Sequence, residues 1–189
     1  MNEFIGVIEM RQNKIIKKMM PFAIEAVLIL TLFICFAAPA SAEYVCEIVG
    51  GDLYEDLGDA LADISNQGGG TIQLLQDIDH ESDIYIEDIS VTFDVNGFIL
   101  NVICREPDFT VWGNALEVNG GEVLLIDTSP SEDGEFNVIS YAGYGSGVYV
   151  YNDGKVEVTS ATGVECGVVA HDGATVTATG DVFGSRYGV

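Results

Sequence analysis

From Gly147 to Thr179 the sequence writes one pattern twice, and that duplication restricts the fold more than any other feature. Gly147-Val-Tyr-Val-Tyr-Asn-Asp-Gly-Lys-Val-Glu-Val158 is followed, after a short link, by Gly167-Val-Val-Ala-His-Asp-Gly-Ala-Thr-Val-Thr-Ala178. Each copy has two short alternating runs joined at an Asp-Gly, and a period of two marks a strand with one buried face. Each copy therefore reads as two strands and a corner.

The pattern continues backwards as a lattice. Ile84, Leu116, Val148 and Val168 form one column, and Ile86, Val118, Val150 and Ala170 form the next. Beyond the corner, Ile72, Val91, Val123, Val156 and Val176 line up, as do Leu74, Phe93, Leu125, Val158 and Ala178. The first column steps by 32, 32 and 20 residues, which suits a coil of about 20 residues carrying loops of variable length. A hairpin-built sandwich also shows short alternating strands between turns. Hairpins, however, have no reason to shift two strands and their corner together from Ile84, Ile86, Val91 and Phe93 to Leu116, Val118, Val123 and Leu125. The lattice predicts an all-β solenoid with every column pointing into one core.

The start of the chain is an address. Arg11, Lys14, Lys17 and Lys18 precede a mostly apolar run from Ala26 to Ala38, and Ala40-Ser41-Ala42 follows. A positive segment, a short apolar segment and a small-residue cleavage site make a secretory signal peptide over residues 1–42, with cleavage expected after Ala42. The apolar run is short for a membrane span, so no span is expected in the mature chain. Bulky Ile34 before Cys35 argues against lipidation.

Cleavage at Ala42 would leave 147 of the 189 residues, enough for one domain with a real core. Glu3, Glu9 and Glu25 fall in the leader, so 27 of the 30 acidic residues remain against Arg105, Lys155 and Arg186, a formal balance of −24. Such a surface repels phosphate backbones and anionic lipid, which disfavours nucleic acid and membrane surfaces as partners. Cys46, Cys104 and Cys166 remain, and an odd number allows at most one internal bridge. Small buried side chains are the simpler reading, with a bridge including Cys46 as the alternative.

After the leader, the apolar period changes. Leu53, Leu57, Ala60, Leu61 and Ile64 fall mostly three or four apart with acids between them, which predicts an amphipathic helix over about 53–64. Gly68-Gly69-Gly70 ends it, and Thr71 opens the first strand of the lattice. A solenoid must cover its first rung, so residues 43–70 are expected to form an N-terminal segment whose helix is that cap, with coils over 71–189. Val189 would fall in the column after Val168, and a chain stopping there as a strand begins is expected to be the N-terminal part of a longer protein.

Four stretches carry a family resemblance: the helix Leu53-Tyr-Glu-Asp-Leu-Gly-Asp-Ala-Leu61, the entry Gly70-Thr-Ile-Gln-Leu-Leu-Gln-Asp-Ile78, the turn Val91-Thr-Phe-Asp-Val-Asn-Gly-Phe98 and the two late repeats. Over most of residues 53–189 the sequence resembles the pectin-lyase-like, right-handed parallel β-helix modules of bacterial secreted and surface proteins. The resemblance implies a right-handed parallel β-helix with an N-terminal capping helix, and it specifies fold rather than activity.

Relatives of this kind include polysaccharide lyases and glycosidases. The lyases group calcium-binding carboxylates with a catalytic arginine, whereas Arg105, Lys155 and Arg186 are spread over distant coils and match no such pattern. Glycosidases need two carboxylates, and among 27 acids some pair meets that distance by accident. Asp77, Asp79, Glu81 and Asp83, with His80 among them, form the densest acidic cluster. Hard oxygen ligands there are the calcium candidates, although the spacing matches no calcium loop and a solvated corner is the plainer reading. His171, aligned with Asn152 at the second Asp-Gly, reads as a turn residue. No catalytic residues are assigned.

Aromatic residues remain. Tyr85, Glu117, Tyr149 and Val169 form an outward column, and Trp112, Tyr141, Tyr144 and Tyr151 lie near corners. Exposed rings stack on sugar faces while carboxylates accept hydroxyl hydrogen bonds, so Tyr85, Glu117, Tyr149, Tyr151 and Trp112 are the glycan-binding candidates. Two loops, 105–113 and 128–134, are the other places where a site would sit on a rigid frame. The expectation is a non-catalytic secreted or cell-surface module for adhesion or glycan binding, its partner an extracellular glycan or a host or cell-surface ligand. The alternatives are the N-terminal fragment of a polysaccharide lyase or glycoside hydrolase with catalytic coils beyond residue 189, and a purely structural stalk.

Overall fold

The computed structural model describes residues 43–105 and 113–185. The expected signal peptide and its cleavage point, Trp112, Arg186 and Val189 lie outside them. Three sheets are built almost wholly from parallel strands. In the first, β3 (Gly69–Leu74), β6 (Ser90–Asp94), β9 (Glu122–Ile126), β12 (Lys155–Val158) and β15 (Thr175–Ala178) run side by side. Beyond β3 that sheet is extended by β1 (Cys46–Ile48) and β2 (Leu53–Tyr54), both paired antiparallel. The second sheet holds β4 (Ile78–His80), β7 (Ile99–Cys104), β10 (Glu135–Ser140), β13 (Ser160–Gly163) and β16 (Val182–Gly184). The third holds β5 (Ile84–Glu87), β8 (Leu116–Asn119), β11 (Ser146–Tyr151) and β14 (Cys166–Ala170).

From β3 onward each strand pairs in parallel with the strand three places further along, so the chain visits the first, second and third sheets always in that order. Each circuit thus has three strands, where the duplicated pattern had suggested two. The second sheet was mostly illegible because β13, Ser160-Ala-Thr-Gly163, carries one small apolar residue. The loop 127–134 also separates β10 from any constant spacing.

The side chains facing inward from the three sheets form one core. In the third sheet, Ile84, Leu116, Val148 and Val168 are register partners, as are Ile86, Val118, Val150 and Ala170. The first sheet keeps the expected partners from Val91 to Val123, Val156 and Val176. Its first step differs, because Ile72 pairs with Phe93 and Val91 faces Gly70. A slip of two residues keeps every side chain on its face, so alternation could not detect it. Gly70 leaves room for the helix, since a β carbon there would come within 3.3 Å of Ile64 Cδ1.

The helix α1 spans Leu57–Gln67, later than the 53–64 expected, and Leu53–Tyr54 belong to β2 instead. Leu53 and Leu57 share the helical spacing, yet Asp56 intervenes in extended conformation as the N-cap, its carboxylate accepting from the Gly58 amide at 2.7 Å. Gly68 ends the helix at φ 82°. Leu57, Ala60 and Ile64 bury into the common core.

The late corners are also displaced from the expected alignment. Asn152-Asp153 and Asp172-Gly173 are the pairs with left-handed backbone, so Asp153 corresponds to Gly173 and the matching Asp-Gly letters are one residue out of step. The 20-residue step from Val150 to Ala170 and from Lys155 to Thr175 holds throughout. His171 therefore follows Ala170 as Tyr151 follows Val150, rather than matching Asn152.

Phe93 and Phe136, both fully buried, join the first sheet to the second with ring centroids 5.0 Å apart. Phe93→Ala should cost about 3–5 kcal/mol in urea unfolding. Phe183→Ala, at a position 60% exposed, should stay within about 0.5 kcal/mol of the parent.

Candidate functional site

The third sheet turns alternate residues of each strand away from the core, so its outer surface is a set of columns. Tyr85, Glu117, Tyr149 and Val169 are register partners on β5, β8, β11 and β14, as the sequence implied. Beside them run Glu87, Asn119 and Tyr151. Four of the five glycan-binding candidates are thus brought together; the fifth, Trp112, lies outside the described residues.

The side chains form a connected network. Tyr151 Oη donates to Glu117 Oε1 at 3.3 Å, and Asn114 Nδ2 donates to Glu117 Oε2 at 3.0 Å. Asn119 Nδ2 donates to Glu87 Oε1 at 2.8 Å and reaches Tyr85 Oη at 3.4 Å, while its own Oδ1 accepts from Asn152 at 2.7 Å. His171 lies 2.8 Å from Tyr149 Oη through Nε2 and 2.8 Å from Asp172 through Nδ1. Its ring stacks on Tyr151 at 5.5 Å and meets Tyr149 edge-on at 5.3 Å.

Partial burial, a hydrogen bond with Tyr85 and the nearby Glu117 carboxylate push the Tyr151 phenol up to about 12. It therefore remains a donor at any physiological pH. The face offers ring surfaces, amide donors and carboxylate acceptors, a combination suited to holding a polyhydroxylated ligand.

His171, Asn119 and Asn152 are the members that sequence reasoning missed. Carrying the 20-residue step past Ala170 would have placed His171 beside Tyr151. The Asp-Gly match hid it.

The other candidates are placed differently. Asp77 accepts from the Ile99 amide at 2.9 Å, Asp79 accepts from Asn101 Nδ2 at 2.8 Å, and Glu81 pairs with Arg105 at 3.3 Å. Together with Asp56 and His80 they line an open hollow of about 750 Å³ beside the start of α1. Burial holds the His80 imidazole below its ordinary value, against the pull of Asp56 and Asp83. Among the described residues no three His, Cys, Asp or Glu side chains converge as metal ligands would. Cys46 and Cys104 are buried and Cys166 is half-buried, with no disulfide bond joining them among the described residues.

Loop 128–134 is spent on structure. Buried Asp94 accepts from the Asn96 and Thr128 amides at 3.1 and 3.0 Å, and from Gln73 Nε2 and Thr128 Oγ1 at 2.6 and 2.7 Å. Asp127 accepts from the amides of Gly97, Ser129 and Gly134 at 2.9, 2.9 and 2.8 Å.

Comparison with models of known protein families, with curated proteins and with solved structures found no match.

Burial alone would raise the Asp127 carboxyl, but hydrogen bonds from Ser129, Gly134 and Gly97 outweigh it and hold the group below its ordinary 3.8. A depressed folded-state value stabilises the fold above the unfolded value and is lost as pH falls through the folded one. Asp127→Asn should therefore cost about 1–3 kcal/mol at neutral pH. The gap between parent and variant in urea midpoint should close as pH drops below 3.8.

Proposed function

We propose that this chain is a right-handed parallel β-helix of the pectin-lyase-like kind, secreted or held at the cell surface, that binds an extracellular glycan without catalysing a reaction. Three parallel sheets visited in unvarying order, with a helix packed at the β3 end of the core, support the architecture. Coiling the backbone once per three strands is the simplest path that returns the chain to each sheet in parallel, and crossovers between parallel strands are right-handed. The signal-type leader supports export.

The observation that carries the binding reading is the outer face of the third sheet. Three successive rungs present Tyr85, Glu117 and Tyr149 in one line, with Tyr151 and His171 stacked beside it. Tyr85 is 49% exposed. A single tyrosine is an ordinary strand residue; a row of rings tied to carboxylates and amides on one face matches a long, hydroxyl-rich ligand.

Tyr149→Ala should reduce retention of the protein on insoluble glycans by at least severalfold, while moving the thermal midpoint by no more than roughly 4 °C. Co-sedimentation with a panel of insoluble polysaccharides, alongside calorimetry, measures both. Failure of the parent protein to be retained on any of them would remove the binding reading.

A further inference from the structure

We infer that the ligand of this face is a cationic glycan, a polymer of sugars bearing free amines, rather than a neutral or uronic-acid chain. The inference rests on the glycan reading above and adds its charge. Glu117 sits on the strand between Tyr85 and Tyr149, so a carboxylate is flanked by a ring on each neighbouring rung. Glu87 stands two residues from Tyr85 on β5, and Asp172 lies against His171. Rings beside carboxylates attract a cation twice over, through the negative ring faces and through the formal charge.

No lysine or arginine among the described residues answers Glu87 or Glu117, and Asp172 has His171 as its basic partner at 2.8 Å. Among the described residues Arg105 pairs with Glu81 and Lys155 with Glu122, and neither reaches Glu87 or Glu117. Tyr151 and the amides of Asn114 and Asn119 orient the two carboxylates without neutralising them. The chain as a whole carries −23, so its long-range field draws in positive polymers and turns away polyuronates.

A basic peptide meets the same charge requirement. The sugar is favoured because the face also presents Asn119, Asn152 and several phenols, which match hydroxyl groups that a lysine side chain lacks. Its rings suit the flat apolar faces of pyranoses.

Calorimetric titration of the whole protein with a soluble glucosamine oligomer tests this, compared at one mildly acidic pH with its N-acetylated counterpart, an oligogalacturonate and an oligolysine. The glucosamine oligomer should bind roughly tenfold or more tighter than the acetylated one, a difference of about 1.4 kcal/mol. That preference should shrink as salt is raised to about 0.5 M. Glu117→Gln should weaken the amine-bearing ligand roughly three- to tenfold and the acetylated one by less, so that the preference between them narrows.

Equal or tighter binding of the acetylated oligomer would overturn the cationic assignment while leaving the glycan reading standing. An intact amine preference in Glu117→Gln would overturn it as well. Oligolysine binding as tightly as the glucosamine oligomer, with the same loss in Glu117→Gln, would replace the sugar with a basic peptide. Binding of no oligosaccharide would sink both this inference and the reading beneath it.

Discussion

Parallel pairing of each strand with the one three places on is the constraint from which the rest of the structure follows. It sets like side chains above one another, so that an aliphatic position in one circuit meets an aliphatic position in the next. Backbone donors and acceptors inside each sheet are satisfied by the same arrangement. The length of a circuit is free to vary, because extra residues leave at the corners without disturbing register. The third sheet absorbs steps of 32, 32 and 20 residues while Ile84, Leu116, Val148 and Val168 remain partners.

Such a stack is exposed wherever it lacks a neighbour. At the β3 edge, β1 pairs antiparallel with β3 and α1 lays Leu57, Ala60 and Ile64 into the core. Both devices act at the place where an unpaired edge would otherwise invite association. Gly70 belongs to the same arrangement: its missing side chain is what lets Ile64 approach β3.

Fixing the inward columns also aligns the outward ones. On the second sheet this produces a ladder in which Ser160 donates to Asn137, Asn137 to Asn101 and Asn101 to Asp79, and each polar group is spent on its neighbour. On the third sheet the same geometry gathers tyrosines and carboxylates whose ring faces and charges are only partly used within the protein. That contrast, more than the abundance of acids, distinguishes this face as the proposed binding surface.

Most of the lattice was legible because apolar alternation is a direct record of which face is buried. The columns of the third sheet and the outward line Tyr85, Glu117, Tyr149 could be read in register from residue type alone. Three details could not, each for a physical reason. A two-residue slip at Ile72 preserves facing, so pattern is blind to it. Asp56 ends an apparent helical period by capping it. The corners depend on left-handed backbone at Asn152-Asp153 and Asp172-Gly173, which Asp and Asn adopt as well as Gly, so aligning letters misplaced His171 by one residue.

The parallel stack is tested most directly by interstrand nuclear Overhauser contacts of Val148 in solution. The account requires amide-to-Hα contacts from the Val148 region to both the Leu116 and the Val168 regions, in the pattern of parallel neighbours on either side. Short Hα-to-Hα contacts between Val148 and either partner, the mark of antiparallel pairing, would contradict it, as would the absence of contact to one of them.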